Sequence, residues 1–134
     1  MTSPKHKGLR PGILYYLGSP YSAFPQGIDQ AYTVTCKLAA MLVKKGISVY
    51  SPIVHTHPIA LAGNINPLDH AIWMPIDRPF MERADALIVA KLDGWDKSRG
   101  LKEEIETFAA AKKPILYLNP YSMEIEVTSI TVTP

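Results

Sequence analysis

The chain has 134 residues, the length of one ordinary domain, and can bury a core without disulfides or metals. Hydrophobic residues make up 47% and charged residues 19%, which indicates a folded protein rather than a disordered one. The net charge of +2 is too small to favour nucleic-acid polymers or membrane surfaces, and the single cysteine, Cys36, excludes an internal disulfide. With no apolar run of about 18 residues and no signal-peptide pattern, we expect a cytoplasmic protein.

The first part of the chain predicts one strand and one helix. Residues 1–11 are polar and basic, which indicates a flexible lead-in. The apolar run GILYYL at residues 12–17 is typical of a buried strand, and the glycines and prolines of residues 18–27 indicate a loop. Asp29 then begins a helix whose apolar residues recur at helical spacing to about Lys45, before a terminating glycine.

The rest of the chain predicts alternating strands and helices. Strands are predicted at residues 47–50, 86–91 and 114–118. Helices are predicted at residues 68–84, which contain two prolines, and at residues 101–112. The remaining segments are predicted as loops at residues 51–67 and 92–100 and as a β-rich tail without a clear partner at residues 119–134.

Strands that are apolar on both faces and alternate with helices are typical of a parallel sheet covered on both sides. The sequence therefore predicts an α/β protein with one domain over residues 12–134. In such an open sheet the ligand binds beyond the carboxyl ends of the strands. The loops at residues 18–27, 51–67 and 92–100 are therefore where we expect a site.

The helix predicted at residues 101–112 carries a glutamate that differs from its neighbours. Counting 100° per residue from the apolar stripe, Glu103 and Glu106 fall on the solvated side, whereas Glu104 falls at the edge of the stripe. A partly desolvated carboxylate there can act as a base or a nucleophile. Glu104 is therefore a candidate catalytic residue, and the alternative is a surface glutamate beside a lysine.

The helix predicted at residues 68–84 carries a second candidate, Asp77, on one face with Trp73 and Phe80. An acid on an apolar face is uncommon. One interpretation is that Asp77 caps a helix that restarts at Pro79, which has no N–H to donate. The other is that Asp77 is a proton donor with a pKa raised by burial, beside an ionised glutamate.

The residues that precede the last helix suit an anion. Helix N-termini bind phosphate through free backbone N–H groups and the helix dipole. Ser98, Arg99 and Gly100 lie at such a position, although Ser98 alone is equally typical of an ordinary N-cap. Ser19, in the turn after the first strand, is a candidate of the same kind.

Two histidines, His55 and His57, lie two residues apart in the loop predicted at residues 51–67. In an extended segment both would point to one side, as a metal pair does, but no third ligand has a suitable spacing. We therefore expect no metal site and interpret both as contacts to a substrate or a phosphate. At most two aromatic residues are expected to stack on a ligand ring, from the set Tyr15, Tyr16, Tyr21, Trp73 and Trp95.

Three segments follow one another in a recognisable order. The first is YYLGSPY at residues 15–21, and the second is Asp77 followed eight residues later by Asp85 and the strand ALIVA. The third is SRGLKEEI at residues 98–105, a Ser-x-Gly-x-x-x-Glu pattern, with KPILYL after it. Over most of residues 15–118 the chain resembles the nucleoside 2-deoxyribosyltransferase-like superfamily. It is nearest to the 2′-deoxynucleoside 5′-monophosphate N-glycosidases and to a group of small uncharacterised bacterial and phage proteins.

The resemblance implies a Rossmann/flavodoxin-like three-layer sandwich with a central, mostly parallel sheet. It implies a cofactor-independent enzyme that cleaves the bond between a base and a (deoxy)ribose. Glu104 would attack the anomeric carbon, and Asp77 would protonate the departing base or orient the sugar. Water as the acceptor gives a hydrolase and a second base gives a transferase; Ser98 in place of an acid favours a phosphorylated substrate and hydrolysis. The alternative is a binding module of the same fold without turnover.

The resemblance also implies how a nucleotide or nucleoside is held. Ser98 and Ser19 would bind a 5′-phosphate, and Tyr15 would line the sugar or base pocket. Tyr21 stands where the glycosidases carry an arginine, so another side chain would supply positive charge: Arg99, Lys97, His55 or His57. The full set expected to bind substrate is Tyr15, Gly18, Ser19, Tyr21, His55, His57, Ser98, Arg99 and Gly100.

The resemblance finally implies a homodimer or a larger homo-oligomer. A neighbouring subunit would complete the site from the segment after the last strand. In this chain that contribution would come from Thr128 or Ser129 of the partner subunit. No membrane and no nucleic-acid polymer is expected as a partner.

Overall fold

The fold is a five-stranded sheet with helices on both faces, and the structure, a computed structural model, describes residues 8–126. The strands are β1 (Leu14–Gly18), β2 (Ser48–Tyr50), β3 (Ala86–Ala90), β4 (Ile115–Leu118) and β5 (Ile125–Glu126). Their order is β2-β1-β3-β4-β5, with β1 to β4 parallel and β5 antiparallel to β4. The helices are α1 (Ile28–Lys44), α2 (Pro52–Gly63), α3 (His70–Arg83) and α4 (Arg99–Ala110). The predicted α/β class with a mostly parallel sheet is confirmed, and the arrangement is Rossmann/flavodoxin-like.

The two faces of the sheet carry separate cores because successive side chains of a strand point to opposite faces. On one face, Tyr15 and Leu17 of β1 pack with buried residues of α1 and with Ile88 of β3. On the other face, Tyr16 packs with Leu87 and with buried residues of α3 and α4. The helices α3 and α4 therefore share a face with Tyr16, and this placement decides which side chains can meet.

Helix α2 replaces the loop that was predicted at residues 51–67. Ser51 caps it by accepting a hydrogen bond from the backbone N–H of Val54 at 3.1 Å, and Pro52 occupies the first turn, where proline fits. The helix ends at Asn64, which adopts the left-handed conformation with φ of 56°. The prediction was wrong because α2 contains Pro58 and has no apolar stripe, so helical periodicity is missing from its sequence.

Helix α3 continues through both of its prolines. The Asp69 side chain caps its start by accepting from the N–H of Ala71 at 3.0 Å. Asp77 therefore lies inside a continuous helix, and the structure does not support its interpretation as a cap. The far end of α3 is held by Lys113, whose Nζ lies 2.7–3.1 Å from three carbonyl oxygens, those of Met81, Glu82 and Ala84.

Both ends of the described chain attach to the sheet. Tyr15 Oη donates to the carbonyl oxygen of Gly8 at 3.1 Å and accepts from the N–H of Arg10 at 2.9 Å. The tail predicted without a partner supplies β5, where Ile125 pairs with Leu118. Thr128 and Ser129 lie outside the described residues. None of the helices between residues 8 and 126 combines the length and apolar character needed to cross a membrane.

Candidate active site

A cavity opens beyond the carboxyl ends of β1, β2 and β3. The turn after β1 contributes Ser19, Tyr21 and Ser22, and the first half of α2 contributes Ile53 and Thr56. The remaining walls come from α3 with the segment before it and from the start of α4. The strand order reverses between β1 and β3, which is where open α/β sheets bind ligands. All three loop regions expected to matter therefore contribute to one cavity.

Glu104 lines this cavity from α4 and is buried, with 8% of its surface exposed. Tyr16 Oη donates a hydrogen bond to Glu104 Oε2 at 3.1 Å. Gly18, at the end of β1, leaves room for the carboxylate, because a Cβ there would lie 2.8 Å from Glu104 Oε1 and 2.6 Å from Leu101 Cδ1. Gly18 is thus packed against the Glu104 side chain and does not line the cavity.

Asp77 lines the same cavity from α3 and is equally buried, at 8% exposure. Its Oδ1 has no hydrogen-bond partner among the described residues. An unpaired buried carboxylate oxygen is costly and uncommon, so it calls for an explanation such as a catalytic or binding role. Two buried carboxyl groups from different helices therefore face one cavity.

The pKa values of both carboxyl groups are raised above their ordinary range. Burial raises the pKa of Asp77 to about 6. Burial raises the pKa of Glu104 to about 8, the negative charge of Asp77 raises it further, and the Tyr16 hydrogen bond opposes the rise. At neutral pH the two carboxyl groups therefore share one proton between them. The raised pKa of Asp77 agrees with its interpretation as an acid, and the ionised state of Glu104 beside it stays a prediction.

The serines and Gly100 lie at the cavity. Ser98 is buried and caps α4, with its Oγ accepting from the N–H of Leu101 at 3.2 Å. Ser19 is also buried and shares a hydrogen bond with Thr35 Oγ1 at 3.2 Å. Ser98, Ser19 and Gly100 all belong to the lining, so the cap interpretation of Ser98 and a contact with a ligand are compatible.

Arg99 does not belong to the cavity. Its side chain is 75% exposed, and its Nε lies 3.4 Å from Glu103 Oε2, one helical turn along α4. Lys97 is likewise exposed and outside the lining. Neither residue therefore places the expected positive charge at the cavity, because the side chains of Arg99, in α4, and of Lys97, just before it, extend into solvent.

Tyr15 was predicted to line the pocket and does not. It is 2% exposed and lies in the core between the sheet and α1, on the face opposite the cavity. The adjacent Tyr16 faces α4 instead and reaches Glu104. Strand alternation requires the two tyrosines to point to opposite faces, but the dipeptide alone does not say which one faces the site.

His55 and His57 do not form a pair, because on helix α2 residues two apart point in nearly opposite directions. His55 Nδ1 shares a hydrogen bond with Tyr50 Oη at 3.0 Å, and its ring packs against Phe80. His57 is buried and shares a hydrogen bond through Nδ1 with the Tyr21 hydroxyl. Neither histidine lines the cavity, so their expected contact with a ligand is not direct.

Sequence reasoning missed His70, which lies in the first turn of α3 and lines the cavity. Its Nε2 lies 3.1 Å from Glu103 Oε1. The signal that points to it is Asp69, a residue typical of an N-cap, which places His70 at the open end of the helix. Within residues 8–126, His, Cys, Asp and Glu side chains form no group of three placed to hold a metal ion.

The charged lining of the cavity is acidic. Asp69, Asp77 and Glu104 contribute carboxyl groups and His70 contributes an imidazole, while no lysine or arginine of residues 8–126 lines it. Apolar and aromatic surface comes from Ile53, Leu68, Trp73 and Met74. Such a mixture of apolar walls and few polar groups is typical of a site for a small organic molecule.

A comparison with curated proteins found no match. The sequence model of one family, described as a domain of unknown function (DUF1937), matches residues 13–120. The matched region contains the four parallel strands and the whole lining of the cavity. The chain therefore belongs to the DUF1937 family.

Proposed function

We propose that the protein hydrolyses the N-glycosidic bond of a (deoxy)nucleoside or of its 5′-monophosphate, with Glu104 as the nucleophile and Asp77 as the acid. The observation that carries this proposal is the pair of buried carboxyl groups at one cavity, of which Asp77 Oδ1 has no partner among the described residues. The transition state of glycoside cleavage resembles an oxocarbenium ion and uses two such groups. The resemblance of three segments to the nucleoside 2-deoxyribosyltransferase-like superfamily supports the same reaction.

The first step breaks one bond and forms another. The ionised Glu104 attacks the anomeric carbon, the bond to the base nitrogen breaks, and the base leaves with the proton of Asp77. Water then attacks the glycosyl-enzyme, gives its proton to the Asp77 carboxylate, and releases the sugar. The free sugar or sugar phosphate and the free base are the products.

The reaction needs the shared proton on Asp77 and the ionised form of Glu104. Positive charge that develops on the sugar beside Glu104 lowers the pKa of that carboxyl and favours its ionised form. The proton then belongs to Asp77, where the leaving base needs it. The Tyr16 hydroxyl donates to Glu104 Oε2 and keeps the carboxylate oriented through both steps.

The charges at the cavity favour an uncharged nucleoside over a 5′-monophosphate. Three of the five ionisable lining residues carry carboxyl groups, and no lysine or arginine of the described chain reaches the lining. A phosphate dianion would meet repulsion from Asp69 and from the one negative charge that Asp77 and Glu104 share, and Ser19, Ser98 and the α4 dipole only partly offset this repulsion. Of the two substrate classes in the proposal, we therefore favour the nucleoside.

The test is chromatographic detection of free base from the common nucleosides and their 5′-monophosphates. Glu104→Ala is the blank, and Glu106→Ala is the matched control because Glu106 is exposed on the same helix. Release by the wild type and by Glu106→Ala, with none from Glu104→Ala, supports the proposal, and the better substrate class decides the phosphate question. Turnover that survives in Glu104→Ala contradicts the nucleophile assignment. Binding of these compounds without release supports the binding-module alternative.

A further inference from the structure

Behind the cavity, three side chains from separate elements form a chain of hydrogen bonds. Tyr21, in the turn after β1, lines the cavity and shares a hydrogen bond between its hydroxyl and His57 Nδ1. His57, in α2, lies with its Nε2 3.2 Å from Oδ1 of Asp29, in the first turn of α1. His57 is 2% exposed, and Tyr32 stacks on its ring with centroids 4.5 Å apart. The buried imidazole thus lies between the Tyr21 hydroxyl and the exposed carboxylate of Asp29.

The positions of the hydrogens follow from what each group can do. The Asp29 carboxylate only accepts, so His57 Nε2 carries the hydrogen between them. A neutral imidazole has a single N–H, and Nδ1 is therefore an acceptor. Burial raises the pKa of Tyr21 to about 12, so the phenol keeps its hydrogen and donates it to Nδ1. The only hydrogen of the Tyr21 hydroxyl is then committed to His57.

We propose that Tyr21 is a specificity-determining residue that accepts a hydrogen bond from an N–H or O–H group of the substrate, with His57 and Asp29 as positioning residues. This inference rests on the proposed function, since it concerns the ligand of the same cavity. A tyrosine hydroxyl usually rotates to suit either a donor or an acceptor. Here the buried histidine removes that freedom, and only lone pairs remain for the ligand.

In a nucleoside, two kinds of group meet this requirement: the exocyclic amino group of the base and the hydroxyls of the sugar. A group that can only accept, placed against Tyr21, would leave two acceptors facing each other. Loss of a hydrogen bond to a neutral group changes binding by about 1 kcal/mol, which is roughly fivefold. A site built for a donor discriminates at least to that degree.

The experiment measures kcat/KM for matched pairs of substrates that differ in one donor. The first amino pair is 2′-deoxyadenosine and purine 2′-deoxyriboside. The second is 2′-deoxycytidine and the analogue that carries hydrogen in place of the 4-amino group. The hydroxyl pairs are adenosine against 2′-deoxyadenosine, and 2′-deoxyadenosine against 2′,3′-dideoxyadenosine. In the wild type we expect one kind of pair to differ by about fivefold or more, and the pair whose ratio changes by that factor in Tyr21→Phe identifies the group that Tyr21 contacts.

The variants then test whether Tyr21 is responsible. Tyr21→Phe should bring the discriminating ratio close to one. His57→Asn, whose Oδ1 can accept in place of Nδ1, should keep the ratio, whereas His57→Phe frees the Tyr21 hydroxyl to rotate and should reduce it. If His57 had only a structural role, His57→Phe would lower kcat/KM by the same factor for every substrate. Ratios that are unchanged in Tyr21→Phe overturn the inference, even if His57→Phe fails to fold.

A binding measurement separates this inference from the proposed reaction. The same pairs are titrated calorimetrically into Glu104→Gln, alone and combined with Tyr21→Phe. If no base is ever released but Tyr21→Phe abolishes discrimination in Kd, the proposed reaction fails and the inference stands. If base is released while no pair responds to Tyr21→Phe, the reaction stands and the inference is wrong.

Discussion

Tyr16 and Glu104 are 88 residues apart in the chain, yet the tyrosine hydroxyl lies 3.1 Å from Glu104 Oε2. The contact joins the central strand β1 to the helix α4 within the buried core of one face of the sheet. Burial raises the pKa of Tyr16, and the negative charges of Glu104 and Asp77 raise it further. The phenol therefore stays protonated and acts as a fixed donor to the carboxyl group.

Tyr16→Phe should raise the pKa of Glu104, because the lost hydrogen bond is the one interaction that lowers it. In the proposed reaction less of the ionised nucleophile is then available, and we expect kcat/KM to fall about tenfold or more, in line with a lost bond to a charged group. Base release measured across pH checks this, with the upper pH limb moving to higher pH. Tyr15→Phe is the control: its hydroxyl contacts Gly8 and Arg10 on the other face, so it should leave the reaction unchanged.

The pH profile of kcat/KM should be bell-shaped, with limbs near 6 and near 8, the values to which the pKa of Asp77 and of Glu104 are raised. Below the lower limb both carboxyls are protonated and no nucleophile is present. Above the upper limb both are ionised and no acid remains. A single sigmoidal limb in the wild type would contradict a pair that works with one shared proton.

Asp77→Asn should remove the upper limb and lower turnover strongly, because asparagine supplies no proton to the leaving base. The pKa of Glu104 should fall in this variant, since the negative charge of Asp77 is one of the causes that raise it. The residual rate should then rise once with pH and stay level. Glu106→Gln, exposed on α4, is the control and should retain both limbs.

Glu104→Gln should stabilise the fold at alkaline pH. The folded pKa of Glu104 is raised from 4.5 to about 8, so the folded state binds more protons than the unfolded state between these values. The contribution of this carboxyl to stability is thus fully present below 4.5 and is lost as pH rises through about 8. At pH 9 we expect the variant to gain up to about 5 kcal/mol in the free energy of unfolding, at about 1.4 kcal/mol for each unit by which the pKa is raised, and little at pH 4.5. Urea unfolding at both pH values measures this, and an equal effect at both would contradict burial as the cause.

Gly18→Ala should destabilise the protein and disable the site together. The added Cβ would lie 2.6 Å from Leu101 Cδ1 and 2.8 Å from Glu104 Oε1, so both buried side chains would have to shift. We expect a loss of about 1–3 kcal/mol in unfolding free energy, as for other overpacked cores. Gly100→Ala serves as the comparison for stability, because a Cβ there meets only His70 Cε1 at 3.8 Å. Equal stability of the two variants would show that the β1–α4 contact yields easily.

The sequence predicted the elements whose chemistry is local and periodic. The apolar runs of β1 and β3 mark a buried parallel sheet, and the helical spacing of α4 separates Glu104 from the exposed Glu106. It failed for α2, where prolines and the absence of a stripe hide a helix held by a Ser51 cap and by tertiary packing.

A site residue could be predicted from the sequence only where its position within a single helix or strand determines whether it faces the cavity. The choice between Tyr15 and Tyr16 depends on which face α4 covers, and this requires the connections between strands. The location of the shared proton depends on two helices that meet only in the folded chain. Likewise, the proposed role of His57 depends on its contacts with Tyr21 and Asp29, which lie 36 and 28 residues earlier in the chain.

The contacts of Lys113 link the two helices that carry the carboxyl groups. The residue lies three positions after the end of α4, and its ammonium donates to carbonyl groups at the end of α3 and at its C-cap, Ala84. Fraying of the α3 end therefore requires this ammonium to leave three acceptors at once, which couples local opening of α3 to the chain that leaves α4. The contacts of Lys113 thereby oppose any change in the separation between the carboxyl groups of Asp77 and Glu104.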